Sequence, residues 1–388
     1  MSHVNTILHQ LLQFVDRHDF ERRVRQYSGD RWVKKFDCWN QFAVLLYAQI
    51  KGHDSLRDIV EGLQSHSEKL FHIGLKRVAR STLSDANSIR DYRIYEGVFY
   101  DLLRRCQSLT PDHPFRFKNP LFSLDSSIIE LSLSVFPWAD FNKTKGALKL
   151  HCLLDHCGNI PSFVTVTHGH KGDITLAKEA DLPLMPDSIL TMDRGYIDFS
   201  FLYSLHQKGV FFIVRTKTNM VYKITGQHET PRVRGLINDF RIRTAGVDST
   251  YTYPDELRLV RWHDEETGKD FEFLTNNFKL AASTIAAIYK ARWQIELFFK
   301  WIKQHLKIKT FLGISLNAVL TQIWIAMCCY LLLAYIKFQT RYRFPLLCLT
   351  RILRETLMDR RPLIDLLSLN PEKHYANLRA PTNQLALF

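Results

Sequence analysis

From residue 118 the sequence changes period in an order that few folds accommodate. "PLFSLDSSIIELSL" (120–133) reads as a strand, and "GALKLHCLLDHCGNIPSFVTVTHG" (146–169) reads as two strands about a turn at Gly158-Asn159. A helical "DITLAKEADL" follows, then a strand in "SILTMDRG" (188–195), a helical "DFSFLYSLHQKG" and a strand in "VFFIVRTK" (210–217). Three strands, helix, strand, helix, strand predict a mixed sheet. The first three strands are expected to be antiparallel, and the later two to arrive by βαβ crossovers. Residues 218–270 continue as strand-like, turn-rich sequence, and only then does a long helix begin in "YKARWQIELFFKWIK" (289–303).

Before residue 118 the periodicity is helical, in "ILHQLLQFVDRHDFERRVRQY", "CWNQFAVLLYAQI", "SLRDIVEGLQ" and "IRDYRIYEGVFYDLLRRC". Within that region "GLKRVARSTLSDANSIRDYR" offers a turn at Gly74, N-cap hydroxyls at Ser81 and Thr82, and a short helix flanked by Arg77, Arg80, Arg90 and Arg93. Either a helix-turn-helix that binds DNA through Arg77 and Arg80 or a plain helical hairpin with solvated arginines satisfies this pattern. The run 318–336 approaches membrane-spanning length, but it includes Thr321 and Gln322, and a buried core helix is expected there rather than a membrane span. The seven cysteines are scattered without a CxxC pair, which points to a reducing cytosol and no disulfide framework. "HCLLDHCGN" (151–159) is read as strand and turn rather than a zinc site.

Charge narrows the partners. The formal net charge is +13, and residues 277–388 carry 16 Lys/Arg against 5 Asp/Glu. That surplus suits a polyanion. Within it, Glu296 is the one acid of the stretch 289–303. At about 100° per residue, Tyr289, Arg292, Glu296, Lys300 and Lys303 share one helical stripe. A solvated face with i,i+4 ion pairs is the plain reading, although such pairs contribute only about 0.2–0.5 kcal/mol. Two further carboxylates stand at informative points. Asp125 follows the apolar "LFSL" of the first strand, and Asp193 closes "SILTM". Strand ends that open on a crevice are usual places for chemistry in α/β sheets. Taken singly each is often a helix cap, as Asp173 and Asp198 are expected to be. Together, two strand aspartates and a helix glutamate offer hard oxygen ligands of the kind magnesium prefers. Two such ions suit an in-line phosphoryl displacement.

These residues carry a resemblance. "SLDSS", "TMDRGYID" and above all Tyr289-x2-Arg292-x3-Glu296-x6-Lys303 resemble the DDE transposases of bacterial insertion sequences, in the family named after insertion sequence four. The likeness implies an α/β, ribonuclease-H-like mixed-sheet core interrupted by a β-rich insertion, with an all-helical N-terminal DNA-binding domain. The implied boundaries are 1–117 for the helical domain, 118–217 for the first part of the core, 218–270 for the insertion, 271–340 for the second part of the core with the glutamate helix, and 341–388 for a basic helical C-terminal region and tail. The resemblance assigns Asp125, Asp193 and Glu296 to catalysis and to two Mg2+ ions, with Mn2+ as a substitute. It places Tyr289, Arg292 and Lys303 on DNA phosphates, helped by Arg194, with Lys300 on the same cationic face. The implied reaction is strand cleavage at inverted-repeat ends followed by transfer into target DNA, by a homodimer that holds two ends, in the cytoplasm at the nucleoid. A structure-selective nuclease on the same core and an inactive DNA-binding relic are the alternatives.

Two further features remain open on sequence grounds. Related enzymes that cut through a DNA hairpin stack a flipped base on a Trp of the insertion. Here Phe271 takes that place with Trp262 on the preceding strand, and either base stacking or core packing accounts for both. The chain ends in "QLALF", similar to the peptide by which bacterial proteins dock on the replication sliding clamp. Gln384, Leu385, Leu387 and Phe388 are its anchors, unless they form a terminal strand on their own domain.

Overall fold

The structure is a computed structural model that describes residues 5–142, 145–217, 220–228, 233–305 and 311–368. The chain divides into two compact units, one of Met1–Thr110 with Trp301–Phe388 and one of Pro111–Lys300. Among its described residues the first unit is helical. It opens with α1 (Ile7–Leu12), α2 (Arg17–Gln26), α3 (Cys38–Lys51), α4 (Leu56–Gln64), α5 (Ser67–Ile73), α6 (Arg80–Ile89) and α7 (Arg93–Gln107). The break between α5 and α6 follows the expected turn at Gly74, whose φ of +72° is left-handed backbone that glycine adopts without strain. The start of α6 differs from the expected capping. Its N-cap is Ala79, with no side-chain hydrogen bond, so Ser81 and Thr82 lie inside the first turn. Arg77 and Arg80 are exposed there. Arg90 is not: it is buried, donating to the Phe36 and Asp37 carbonyls and to Gln41 Oε1.

The second unit is built on one mixed sheet. β1 (Leu121–Leu131), β2 (Asp140–Asn142), β3 (Lys145–Asp155) and β4 (Ile160–His168) come first, followed by α8 (Asp173–Glu179), β5 (Ile189–Met192), a 3-10 turn (Arg194–Tyr196), α9 (Phe199–Gln207) and β6 (Phe211–Arg215). β3 pairs antiparallel with β1 on one side and with β4 on the other. β5 pairs parallel with β1, and β6 pairs parallel with β5. This is the mixed sheet expected from the change of period. The turn joining β3 to β4 holds Gly158 and Asn159 at φ +74° and +53°, the two left-handed positions of a tight hairpin. Its histidines are occupied by hydroxyl groups, His151 with Thr167 and His156 with Ser123.

The sheet then continues through β7 (Tyr222–Gln227), β8 (Leu236–Thr244), α10 (Val247–Thr252), β9 (Leu257–Asp264) and β10 (Lys269–Thr275). β10 pairs antiparallel with β6, so these strands extend the same sheet. Apolar alternation covers both faces. Phe122, Leu124, Leu190 and Met192 join a core with Phe201, Leu202 and Leu205 of α9. Leu121, Ile189 and Ile213 face the other way, onto α11 (Ala282–Ala291). Arg258 of β9 is wholly buried and pairs through both nitrogens with Asp239 of β8 at 2.8 and 2.7 Å, while donating to the Asn277 and Leu280 carbonyls. That cluster ties the loop before α11 to the sheet.

α12 (Trp293–His305) begins one residue after α11 ends. The single helix expected over 289–303 is therefore two, joined at Arg292. The first unit resumes with α13 (Leu316–Gln339), α14 (Leu346–Thr356) and α15 (Leu363–Leu367). α13 is the one described helix long and apolar enough to cross a membrane, and 94% of its most apolar window is buried within the fold, as a core helix would be. It packs against α3, α6, α7 and α14.

Candidate functional site

Strand register gathers the site. The last paired residues across the three parallel strands are Leu124 with Met192 and Met192 with Val214. One position further come Asp125, Asp193 and Arg215, side by side just past the parallel pairing; Asp193 follows β5 and Arg215 closes β6, but Asp125 is not at the strand end expected of it, because β1 runs on beside β3 to Leu131. Alternation along each strand turns them to the face that carries Leu121, Ile189 and Ile213, the face covered by α11. Arg215 was not singled out from sequence, because only the pairing of β5 with β6 reveals that it neighbours Asp193. Its guanidinium lies over the Phe271 ring at 5.1 Å.

Each aspartate is oriented by backbone. Asp125 Oδ1 accepts from the Ser126 N–H at 2.8 Å, and Asp193 Oδ1 accepts from the Gly195 N–H at 2.7 Å. A Cβ at Gly195 would stand 2.9 Å from that same carboxylate oxygen and would have to push the Asp193 side chain aside. Arg194 is exposed immediately beside it.

The third acid arrives through the joint between the two helices. Arg292 donates to Asp125 Oδ2 at 3.1 Å and to Glu296 Oε1 at 2.6 Å. Its side chain is only 13% exposed, and its guanidinium lies 5.6 Å from the centre of the Tyr289 ring. The i,i+4 ion pair of the plain reading does form, then, but as half of a bridge between two acids from distant parts of the chain. Burial raises the Asp125 carboxyl to a pKa of about 6. The Ser126 amide and Arg292 pull it down, while the negative charges of Asp193 and Glu296 push it up. Those last two influences put Asp193 and Glu296 each within electrostatic reach of Asp125. Arg292 itself is held charged above its ordinary value: burial opposes the charge, but Tyr289, Asp125 and Glu296 outweigh it.

The donor set fits divalent cations. Three carboxylates at one sheet end, two of them with an oxygen already fixed by backbone, are hard ligands whose mutual repulsion a cation relieves. They do not converge on one point as they stand. Among the described residues, the trio of ligand atoms within 4.8 Å of one another is Asp16, His18 and Asp19 near the start of α2, which is largely exposed. At the sheet end the guanidinium of Arg292 supplies the positive charge between Asp125 and Glu296.

Beside the acids lies an open cavity of about 600 Å³. Trp262 and Phe271 are directly paired across β9 and β10, and both line it, together with Phe273, Tyr289, Arg292 and Trp293. The two residues expected either to stack a base or to pack the core are partly buried against the core and also line the cavity. Lys300 is exposed one turn after Glu296, and Lys303 follows seven residues after it on the same helix. Gln384, Leu385, Leu387 and Phe388 lie outside the described residues.

Residues 116–332, more than half of the chain, match the family model described as a transposase DDE domain, and residues 3–76 match one described as a domain of unknown function. A transposase of Sinorhizobium fredii is 31% identical over 72% of this chain and 78% of its own length. A transposase for the insertion sequence element IS5377 of Geobacillus stearothermophilus is 28% identical over 69% of this chain and 70% of its own. Among solved structures, the piggyBac transposase synaptic complex with hairpin DNA superposes with a TM-score of 0.48 at 11% identity, over 98% of this chain and 83% of that one. The family model and the Sinorhizobium relative together make this chain a member of the DDE transposases of insertion sequences.

Proposed function

We propose that this transposase cleaves DNA at the inverted-repeat ends of its element and joins the freed 3′ ends to target DNA, using a ribonuclease-H-like core with Asp125, Asp193 and Glu296 as its catalytic acids. The observation that carries the reading is the register of β1 and β5, which sets two aspartates side by side just past their parallel pairing, with Glu296 tied to the first of them through Arg292. The order of β4, β3, β1, β5 and β6, antiparallel and then parallel, supports the choice of core.

Asp125, Asp193 and Glu296 would hold divalent cations, Mg2+ foremost with Mn2+ as a substitute, which supply positive charge to the attacking and leaving oxygens of a phosphoryl displacement. The protein's own part is placement. Backbone amides of Ser126 and Gly195 fix one oxygen of each aspartate, and Arg292 holds the second oxygen of Asp125. Arg292 has two competing sets of partners, the carboxylates it now bridges and the phosphate of an incoming strand, and it would be released toward the phosphate by cations held at the acids. Arg215, Arg194 and Lys300 add exposed cations near the acids, and Lys303 extends that charge along α12, for contacts that position DNA rather than read it. Tyr289, Trp262 and Phe271 offer ring faces in the adjacent cavity on which an unstacked base can lie. Exposed Arg77 and Arg80 at the α5–α6 turn bind the inverted repeats. Two ends held together require two copies of the chain.

The assignment is tested by substituting the acids one at a time. Asp125→Ala, Asp193→Ala and Glu296→Gln are each expected to abolish cleavage of a duplex carrying the sequences that border the gene, while binding that duplex within about threefold of wild type by gel shift. Wild-type cleavage by any of the three removes that residue from the site.

A further inference from the structure

Asp173 reads in sequence as a helix cap, yet it caps nothing. The N-cap of α8 is Gly172, without a side-chain hydrogen bond. Asp173 Oδ1 instead accepts from Ser126 Oγ at 2.7 Å and lies 3.2 Å from Lys149 Nζ. His151 Nδ1 stands 3.7 Å away. Ser126 and His151 are paired across β1 and β3, and Lys149 lies two residues along β3, so all three project from the sheet face opposite Asp125. Lys149 also donates to the Lys171 carbonyl, which fixes the loop leading into α8.

Ser126 joins the two faces. Its N–H holds Asp125 Oδ1 at 2.8 Å while its hydroxyl holds Asp173. α8 also packs on the 3-10 turn Arg194–Tyr196, whose first N-cap is Asp193. Tyr196 is buried in that turn, with its hydroxyl unpaired among the described residues and within electrostatic reach of Asp173, Asp125 and Asp193. The Asp173 carboxylate thus holds the residue that orients Asp125, and the helix it begins packs on the turn that follows Asp193.

We propose that Asp173 is a positioning residue of the transposition reaction: through Ser126 it sets the orientation of Asp125, and through α8 it steadies the turn that presents Asp193. This rests on the reading of Asp125, Asp193 and Glu296 as the catalytic acids. Asp173 is 37% exposed, so its ion pair with Lys149 adds little to stability. The geometry of the site is what depends on it, and misplacement of a reacting group by about 1 Å can cost about 100-fold in rate.

The test uses the full chain with a duplex carrying the sequences that border the gene, and follows three quantities: duplex affinity, cleavage rate at saturating duplex, and Mg2+ affinity by calorimetry without DNA. Asp173→Ala and Ser126→Ala are each expected to keep duplex affinity within about twofold, slow cleavage about 10- to 100-fold, and weaken Mg2+ binding several-fold. Asp173→Asn, whose amide oxygen still accepts from Ser126, is expected to recover cleavage to within about fivefold of wild type. Wild-type cleavage and Mg2+ affinity in Asp173→Ala or in Ser126→Ala overturns the proposal. So does a parallel loss of duplex binding, cleavage and thermal midpoint, which marks a folding role. Asp125→Asn is the separate control. Cleavage that survives it overturns the catalytic assignment itself, whereas cleavage lost in Asp125→Asn and untouched in Asp173→Ala overturns only the positioning role.

Discussion

At Asp125, burial drives the carboxyl to a pKa of about 6, against the pull of the Ser126 amide and Arg292 and with the push of Asp193 and Glu296. The folded state therefore holds this proton more tightly than the unfolded chain, where an aspartate titrates near its ordinary value of about 3.9. Ionising Asp125 opposes folding. The penalty is fully present above about pH 6, shrinks as pH falls through that value, and is gone below the unfolded pKa. In the presence of a chelator, Asp125→Asn is expected to be more stable than wild type at pH 7.5 by about 1–3 kcal/mol in denaturant titrations, with most of that gain lost by pH 4.5. A variant no more stable at pH 7.5 contradicts the account of Asp125 as a carboxyl whose ionisation burial opposes. Part of this was legible in the sequence. The "DRGY" turn marked Asp193 as a strand-end acid, whereas the apolar run before Asp125 suggested a strand end that is the middle of β1, because the strand continues through "SSIIEL" beside β3. Asp173 was misread as a cap, because a local pattern cannot show that Ser126, almost fifty positions away, competes for its carboxylate.

Elements place these residues, and there the sequence was legible where periodicity is local. Gly158-Asn159 announced a hairpin because two left-handed residues in succession suit little else. The joint at Arg292 was not announced. "YKARWQIELFF" has unbroken helical periodicity, and the break leaves Arg292 able to reach back to Asp125 across the sheet face. Arg215 escaped for a similar reason, since its nearness to Asp193 exists only in the register of β5 with β6. The placement of α11 leans on Arg258 and Asp239, both buried, with Arg258 holding the carbonyls of the loop before that helix. Removing one partner of such a pair strands a charge. Asp239→Ala is expected to cost about 3–5 kcal/mol in equilibrium unfolding. A loss under about 1 kcal/mol would mean that solvent reaches Arg258 and that the loop is held by other contacts.

Across the whole molecule, two units divide the work of folding. The sheet-bearing unit is continuous in sequence; the change of period announced its succession of strands and helices through β6, but not that β7 to β10 extend the same sheet. The helical unit combines the two ends of the chain: α13 packs against α3, α6 and α7, a pairing that no local pattern predicts. Its apolar character was legible, and its burial explains why a run of near membrane-spanning length belongs to a DNA-acting enzyme. Both units bear on the central claim, since end recognition is assigned to one and chemistry to the other. The most direct measurement incubates the full chain with Mg2+, a duplex carrying the sequences that border the gene, and a supercoiled plasmid, then sizes the products on denaturing gels. The account predicts duplex ends covalently joined to plasmid, lost with Asp193→Ala. Nicked duplex without joined product, or joined product that persists with Asp193→Ala, would contradict it.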